Sequence, residues 1–233
     1  MPRPEAPGPE LPGPEVRPDL DRRARIGLDE AILCAHKTTA QLATIVDGAR
    51  DRRLLLTRLD PALFATLSAA HRAGIDYDPL SSTGVVGPVN APVGPAAVAI
   101  VTAGTSDVGV AREAVRTLAY HGEAAHEIHD VGVAGLWRVL EHVEALRDLA
   151  VTIVVAGMDA ALPSVVGGLV PGLVIAVPTS TGYGIARGGE TALHAALASC
   201  APGLVVTNID NGYGAACAAL RALGATRRAI NSP

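Results

Sequence analysis

Aromatic residues and cysteines are scarce in this chain of 233 residues. It has one Trp, four Tyr and one Phe, so the core has to be built from Ala, Val, Leu and Ile, and 25 Gly and 17 Pro favour a packed α/β protein with tight turns. The cysteines are Cys34, Cys200 and Cys217, without CxxC spacing. This argues against a disulfide framework and the usual zinc site, and it indicates a reducing compartment such as the cytoplasm.

Excess charge, standard nucleotide motifs and unbroken apolar runs are also missing. The net charge of −4 disfavours a nucleic acid or an anionic membrane as partner. GYGIAR and GYGAAC lack the last glycine of GxGxxG, which argues against a Rossmann dehydrogenase. No GxxxxG precedes the single lysine, Lys37, which excludes a Walker NTPase. Pro and Gly break the uncharged stretches at 79–106 and 160–186, so neither is expected to cross a membrane, and the opening residues predict no signal peptide. The histidine spacings predict no metal site.

Composition and periodicity divide the chain into three parts. Residues 1–24 hold seven of the 17 prolines and have little to bury, so we expect a disordered tail. Residues 25–90 predict a small α/β unit, with a helix capped by Thr38 or Thr39, a short strand at 54–56, and a second helix from Asp60 to Gly74. Residues 91–233 form the third and largest part.

This third part alternates apolar runs with segments of helical period. The runs are AAVAIV, VTIVVAG, LVIAV and LVVTNI, with a further strand near 124–128. The helical segments are 108–120, 134–149, 161–169, 191–199 and 213–223. Such alternation predicts an α/β fold with three layers, in which a doubly wound parallel sheet binds ligands beyond the carboxyl ends of its strands.

Loops of small and polar residues follow the predicted strands. Gly104 to Asp107 lead into a helix, where N–H groups and hydroxyls could hold a phosphate or carboxylate; alternatively, Ser106 or Asp107 caps that helix. Asp159 ends a buried strand, where a partly desolvated carboxylate would suit a general base, although it could equally cap the next helix. Asp210 and Asn211 could bind a ribose or amide, or form an Asx turn.

Two further residues stand out by their chemistry. Cys200 lies in ASCAPG, between a predicted helix and a strand, where small neighbours leave the sulfur accessible to act as a nucleophile, although a lone Cys is more often a core residue. Lys37 is retained in a chain with 18 arginines, which indicates a role that needs an ammonium group; alternatively, it is an ordinary exposed lysine near a helix start.

The motifs TAGTSD, HDVGVAG, AGMDAALPSVVGGLV, VPTSTGYG, GGETALHAALASCAPG and VVTNIDNGYGA together resemble the LarB family of pyridinium-3,5-biscarboxylic acid mononucleotide synthases, which begin assembly of the nickel-pincer nucleotide. The resemblance covers about residues 25–223, because ARIGLDEAILCAHKTTAQLATIV is similar to that family's amino-terminal segment. The carboxy-terminal half is more distantly similar to aminoimidazole ribonucleotide carboxylases and mutases. The resemblance implies a PurE-like, flavodoxin-like carboxylase domain over 91–233, in a homo-octamer whose sites are shared between subunits.

The resemblance also implies a reaction. Such an enzyme carboxylates C5 of the pyridinium ring of nicotinic acid adenine dinucleotide with CO2 or bicarbonate, and hydrolyses the phosphoanhydride to release AMP. The family's nucleophilic cysteine matches Cys200 and its base matches Asp159, where the family usually has Glu, so the base loses about 1.5 Å of reach. No tightly bound cofactor is implied, and the Mg²⁺ dependence of the hydrolysis is left open.

Further motif positions imply contacts with the substrate: Lys37, Thr105, Ser106, Asp107, Asp130, Gly132, Gly135, Asp210 and Asn211. Two alternatives stay open. An aminoimidazole ribonucleotide mutase is disfavoured because no SAHRTP-like segment stands at 129–135. A non-catalytic nucleotide-binding homologue is supported only by the Asp159 departure.

Overall fold

A mixed four-stranded sheet organises the amino-terminal part of the chain. The computed structural model describes residues 16–19, 21–49, 52–89 and 91–231. Most of the predicted tail therefore lies outside the described residues, and its last residues enter helix α1. The elements of this part are α1 (Arg22–Ile26), β1 (Ala31–Leu33), α2 (Thr39–Asp47), β2 (Leu54–Thr57), α3 (Pro61–Thr66), α4 (Ala69–Ala73), β3 (Ile75–Asp78) and β4 (Thr83–Val86). The strand order is β1-β2-β4-β3, parallel between β1 and β2 and antiparallel elsewhere.

Capping side chains decide where the helices of this unit begin. Thr38 and Gln41 form a capping box at the start of α2, which confirms the predicted helix start and chooses Thr38 over Thr39. The single helix predicted from Asp60 to Gly74 is wrong. Asp60 caps α3 and Ser68 caps α4, because the buried Leu67 adopts an extended conformation between them.

The carboxy-terminal part is built on a five-stranded sheet. Its elements are β5 (Val98–Thr102), α5 (Val108–Tyr120), β6 (Ala125–Ile128), α6 (Leu136–Leu140), α7 (Val143–Arg147), β7 (Val151–Ala156), α8 (Ala161–Gly167), β8 (Leu173–Pro178), α9 (Glu190–Leu197), β9 (Val205–Val206) and α10 (Gly212–Asn231). All strands are parallel, in the order β6-β5-β7-β8-β9. This confirms the predicted doubly wound parallel sheet.

Helices cover both faces of this sheet, which gives the three layers. Successive side chains of a strand point to opposite faces, so Ile100 packs in one core with residues of α5 and α10, while Val101 packs in another with residues of α6 to α9. Every residue of β5 and β7 is buried, as continuous apolar runs require. Two predicted helices differ: the segment 134–149 is interrupted between α6 and α7, and α10 continues well beyond residue 223.

The small sheet packs on helix α5 of the large unit. Leu55 and Val85 form a buried cluster with Tyr120, the last residue of α5. Arg116 of α5 donates a hydrogen bond of 2.7 Å to the Thr83 hydroxyl. Among the described residues, no helix is both long and apolar enough to cross a bilayer.

Candidate active site

The strand order of the large sheet reverses between β5 and β7, because the chain turns from β5 to β6 on one side and then places β7 on the other. Ligands of doubly wound sheets bind in the crevice at such a switch point, beyond the carboxyl ends of the strands. The loops after β5 and β7 flank this crevice, and the Ala103 N–H donates to the Val155 carbonyl between them at 3.0 Å. Thr105, Ser106 and Asp159 are all exposed on these two loops. The structure therefore brings these three candidates to one edge of the sheet.

Asp107 faces into the protein, beneath this edge. Its side chain is 2% exposed, and one carboxylate oxygen accepts from the Gly104 N–H at 3.0 Å while the other accepts from the Thr179 hydroxyl at 2.7 Å. It makes no capping hydrogen bond to α5. Asp107 thus ties the loop after β5 to the loop after β8, and leaves Thr105 and Ser106 facing solvent.

A tight turn presents Asp159. Met158 and Ala160 both have positive φ, and the Ala160 N–H donates to the Gly157 carbonyl at 2.8 Å. Gly157 has no room for a side chain, since a Cβ there would lie 2.3 Å from the Thr181 carbonyl oxygen. Ala160 occupies the N-cap position of α8, so Asp159 does not cap that helix. The expectation of a partly desolvated carboxylate is wrong for the single chain, because the turn lifts Asp159 off the buried strand into solvent.

The loop after β6 packs against the loop after β5. Asp130, with φ +59°, donates its N–H to the Thr102 hydroxyl at 3.1 Å and pairs with Arg138 at 3.1 Å. A Cβ on Gly132 would lie 2.8 Å from the Ala103 carbonyl oxygen, and one on Gly135 would lie 2.8 Å from Nε of Arg138. Gly132 is thus needed for close packing against the loop after β5, whereas at Gly135 the flexible Arg138 side chain can move aside.

Asp210 and Asn211 connect the end of β9 to α10. The Asp210 carboxylate accepts from the Ser180 N–H at 2.8 Å. Asn211 Oδ1 accepts from the Gly214 N–H at 2.8 Å, so Asn211 caps α10 and does not form the Asx turn considered for this pair. These side chains hold the loops after β8 and β9 in place.

Glu113 was missed by the sequence reasoning. It is buried on α5, where it accepts from the Tyr213 N–H at 3.1 Å and faces Arg58 at 3.7 Å. Arg58 in turn donates to the Asp210 carbonyl. Burial raises the pKa of Glu113 from its ordinary value. A glutamate on the apolar face of a predicted helix was the available signal.

Cys200 lies away from this edge. It is exposed in the segment between α9 and β9, which by the parallel topology is the amino edge of the sheet. Its neighbour Ser199 lies 2.7 Å from the Ser164 hydroxyl, and Ala201 packs against Gly167, the last residue of α8. Asp159 precedes the first residue of α8. One chain therefore places the two catalytic candidates at opposite ends of this helix, about 10 Å long at 1.5 Å per residue.

Lys37 also lies apart, in the amino-terminal unit. Its N–H donates to the Cys34 carbonyl at 3.0 Å, and its side chain lines a cavity bordered by α2 and β2. None of the described residues that line this cavity belongs to a loop of the large sheet. Within the part of the chain that the structure describes, no three His, Cys, Asp or Glu side chains are grouped so as to hold a metal ion.

Two family models match this chain, one over each of its two sheets. The family model for AIR carboxylase matches residues 97–233, and that for the LarB/PurE-like N-terminal domain matches residues 14–88. A protein of Methanocaldococcus jannaschii is 50% identical over 120 residues, which cover 51% of this chain and 46% of that protein, so the chain spans about half the length of this curated relative. A crystal structure of a Treponema denticola PurE2 variant gives a TM-score of 0.43 at 18% identity, over 57% of this chain and 91% of that one.

The AIR carboxylase match covers the whole five-stranded sheet with its switch-point loops, and the second match covers the mixed sheet before it. The order of the two domains is the one that the LarB resemblance implied. The chain belongs to the AIR carboxylase family, with the LarB/PurE-like architecture of an additional amino-terminal domain.

Proposed function

We propose that this protein is a cytoplasmic carboxylase that adds CO2 or bicarbonate to nicotinic acid adenine dinucleotide and hydrolyses the phosphoanhydride with water, which yields pyridinium-3,5-biscarboxylic acid mononucleotide and AMP. The observation that carries the proposal is the joining of a LarB/PurE-like N-terminal domain to an AIR carboxylase domain in one chain. The exposed Thr105 and Ser106 beside an exposed Asp159, at the switch point of the sheet, support a site for a phosphate-bearing substrate next to a base. The product would serve nickel-pincer nucleotide synthesis.

Carboxylation requires that the cationic ring first becomes electron-rich. In the proposed reaction the Cys200 thiolate adds to a ring carbon, which gives a neutral dihydropyridine. Its C5 attacks CO2 and forms the new C–C bond, Asp159 takes the C5 proton, and the C–S bond breaks to release the thiolate and restore the aromatic cation. Thr105 and Ser106 bind phosphate, while Asp107 holds their loop in position. Asp130, Gly132, Gly135, Asp210 and Asn211 shape the surrounding loops.

Because both groups must reach one ring, we assign the active site to the contact between two copies of the chain. Cys200 of one copy would meet Asp159 of another, since a single chain holds them at opposite ends of α8. Apolar side chains are exposed beside each group: Leu197 is 65% exposed near Cys200, and Met158 is 43% exposed next to Asp159. A contact that brought Cys200 to Asp159 would remove both apolar side chains from water, which favours association. The proposed assembly is a homo-octamer.

The reaction is tested by incubating the purified protein with nicotinic acid adenine dinucleotide and bicarbonate, with and without Mg²⁺, and analysing products by mass spectrometry. We expect AMP together with a mononucleotide that carries one added carboxyl group. Cys200→Ala should abolish carboxylation, whereas Cys217→Ala, the matched control, should retain it. Full activity of Cys200→Ala would reject the mechanism, and binding without turnover would favour a non-catalytic homologue. Aminoimidazole ribonucleotide serves as the comparison substrate for the purine-pathway alternative.

The shared site is tested by mixing variants. Cys200→Ala and Asp159→Asn, each expected to be inactive alone, are co-expressed with different affinity tags and purified as mixed oligomers. With random assembly, a site finds an intact Cys200 and an intact Asp159 in about a quarter of contacts, so about a quarter of the wild-type activity should return. If both residues act within one chain, the mixture stays inactive; this would reject the shared site while leaving the carboxylase proposal intact.

A further inference from the structure

A cavity of about 630 Å³ opens in the amino-terminal unit, outside the proposed active site. Ile32, Ile45 and Leu54 give it an apolar lining, and residues 16–19 border it. Its volume lies in the range of small-molecule sites, at roughly 300–1,000 Å³. It is therefore large enough for a ligand of nucleotide size.

The acidic side chains of this cavity are already neutralised. Each has an arginine of α1 as its ion-pair partner: Asp19 with Arg25 at 2.7 Å, Asp29 with Arg23 at 3.4 Å, and Glu30 with Arg22 at 3.8 Å. The pairing with Arg25 lowers the pKa of Asp19 to about 2. These carboxylates leave no free negative charge to attract a cation.

Three cationic side chains of the cavity have no such partners. Lys37, Arg52 and Arg53 also line it, and none of them forms an ion pair with a carboxylate in the described part of the chain. Arg53 is held in place, since it donates to the Tyr120 carbonyl at 2.7 Å and its guanidinium carbon lies 4.5 Å from the centre of the Tyr120 ring. Its Nε is buried without a hydrogen-bond acceptor. Arg53 therefore brings a fixed positive charge, which no described carboxylate pairs, to the cavity.

We propose that this cavity is a second ligand site, which binds a phosphate-bearing organic anion of nucleotide size. Lys37 and Arg53 would hold the phosphate, because guanidinium and ammonium groups form strong charge-assisted hydrogen bonds with it. The apolar part of the ligand would lie against Ile32, Ile45 and Leu54. Tyr120, which holds Arg53, ends α5, whereas Thr105 and Ser106 precede its first residue. Helix α5, with 13 residues and a length of about 20 Å, thus separates the residue that holds Arg53 from the phosphate loop of the same chain.

Equilibrium dialysis of the full chain with AMP as the probe tests this site. The variants are Lys37→Gln and Arg53→Gln, with Arg221→Gln on α10 as the matched control, because Arg221 is an exposed arginine outside the cavity. We expect each cavity variant to lose one AMP per chain or to bind it at least about tenfold more weakly, while the control binds as the wild type does. Arg53→Gln also removes the contact between Arg53 and Tyr120, which would affect folding. Lys37→Gln leaves that contact intact, so a loss of AMP binding in this variant reflects the cavity itself.

Two further probes define the ligand class. Benzoate offers a carboxylate on an apolar ring, and inorganic phosphate offers the charge alone. Binding of AMP that the cavity variants lose supports the site. Unchanged AMP binding in both variants overturns it, and so does benzoate or inorganic phosphate bound as tightly as AMP. The readout is binding, so failure of the carboxylase assay leaves this proposal standing.

Discussion

Replacement of Asp107 separates a positioning role from direct ligand binding. Its carboxylate accepts from the Gly104 N–H and from the Thr179 hydroxyl, and Thr179 is itself 1% exposed. Asp107→Ala leaves both donors without their acceptor, at about 1–3 kcal/mol each. The two losses together amount to about 2–6 kcal/mol. Gly104 is half-buried and can regain water, so we expect the free energy of unfolding to fall by about 3 kcal/mol, in the lower half of this summed range.

Asp107→Asn should cost much less. The amide oxygen can accept from the Gly104 N–H, and the Thr179 hydroxyl can rotate to accept from the amide nitrogen. Two neutral hydrogen bonds then replace two charge-assisted ones, so we expect the free energy of unfolding to fall by only about 1 kcal/mol. Urea unfolding followed by circular dichroism at one fixed protein concentration measures both values. Asp148→Ala, an exposed control, should stay within about 0.5 kcal/mol of the wild type.

Activity then distinguishes the two roles. If Asp107 only holds the loop, Asp107→Asn keeps most of kcat/KM for nicotinic acid adenine dinucleotide, whereas Asp107→Ala loses it. If the carboxylate binds the ribose directly, the Asn variant folds well yet loses as much activity as the Ala variant. Equal stability of the Ala, Asn and control variants would refute the reasoning from the buried hydrogen bonds.

Three further outcomes are expected. Burial raises the pKa of Glu113, so its contribution to stability is present below the ordinary pKa of 4.5 and is lost as pH rises through the pKa of the folded state. In thermal melts from about pH 4 to 7, the difference in melting temperature between the wild type and Glu113→Gln should therefore shift in favour of the variant. A difference that stays constant with pH would contradict this. Burial raises the pKa of the fully buried Cys34 to about 12, so Ellman's reagent should label Cys200 rapidly in the native protein and Cys34 only after denaturation. Gly157→Ala should lower the free energy of unfolding by about 3 kcal/mol and impair turnover. Gly48→Ala, whose Cβ would meet nothing nearer than 3.5 Å, should lower it by less than about 1 kcal/mol. Equal unfolding midpoints of the two variants would show that the loop after β7 moves to accommodate the added Cβ.

The large sheet was predictable because its central strands β5 and β7 are buried on both faces. A continuous apolar run rich in β-branched residues, such as VTIVVA, is typical of a strand that is covered on both faces, and the run corresponds to β7. The small sheet was not predictable in the same way. Its hairpin strands, IDYD and TGVV, have four residues each and no clean alternation, and they are specified by contacts with β2 and α5 that no local pattern records.

The candidate site was predictable only in part, because local patterns show which loops meet but not which way a side chain faces. Thr105, Ser106 and Asp159 lie at the expected edge. Asp107 was expected to contact the substrate, yet its carboxylate is bound inside the protein by Thr179, a residue 72 positions later in the chain. Such a long-range hydrogen bond has no signature in the loop TAGTSD itself.

The position of Cys200 follows from the order of elements. In a parallel sheet, every segment that follows a strand lies at the carboxyl edge, and every segment that leads from a helix into a strand lies at the amino edge. Cys200 stands between α9 and β9, whereas Asp159 stands between β7 and α8. Any fold with these elements in this order therefore separates the two residues within one chain. If both act on one pyridinium ring, the assembly of copies is a requirement of the chemistry as well as a feature of the family resemblance.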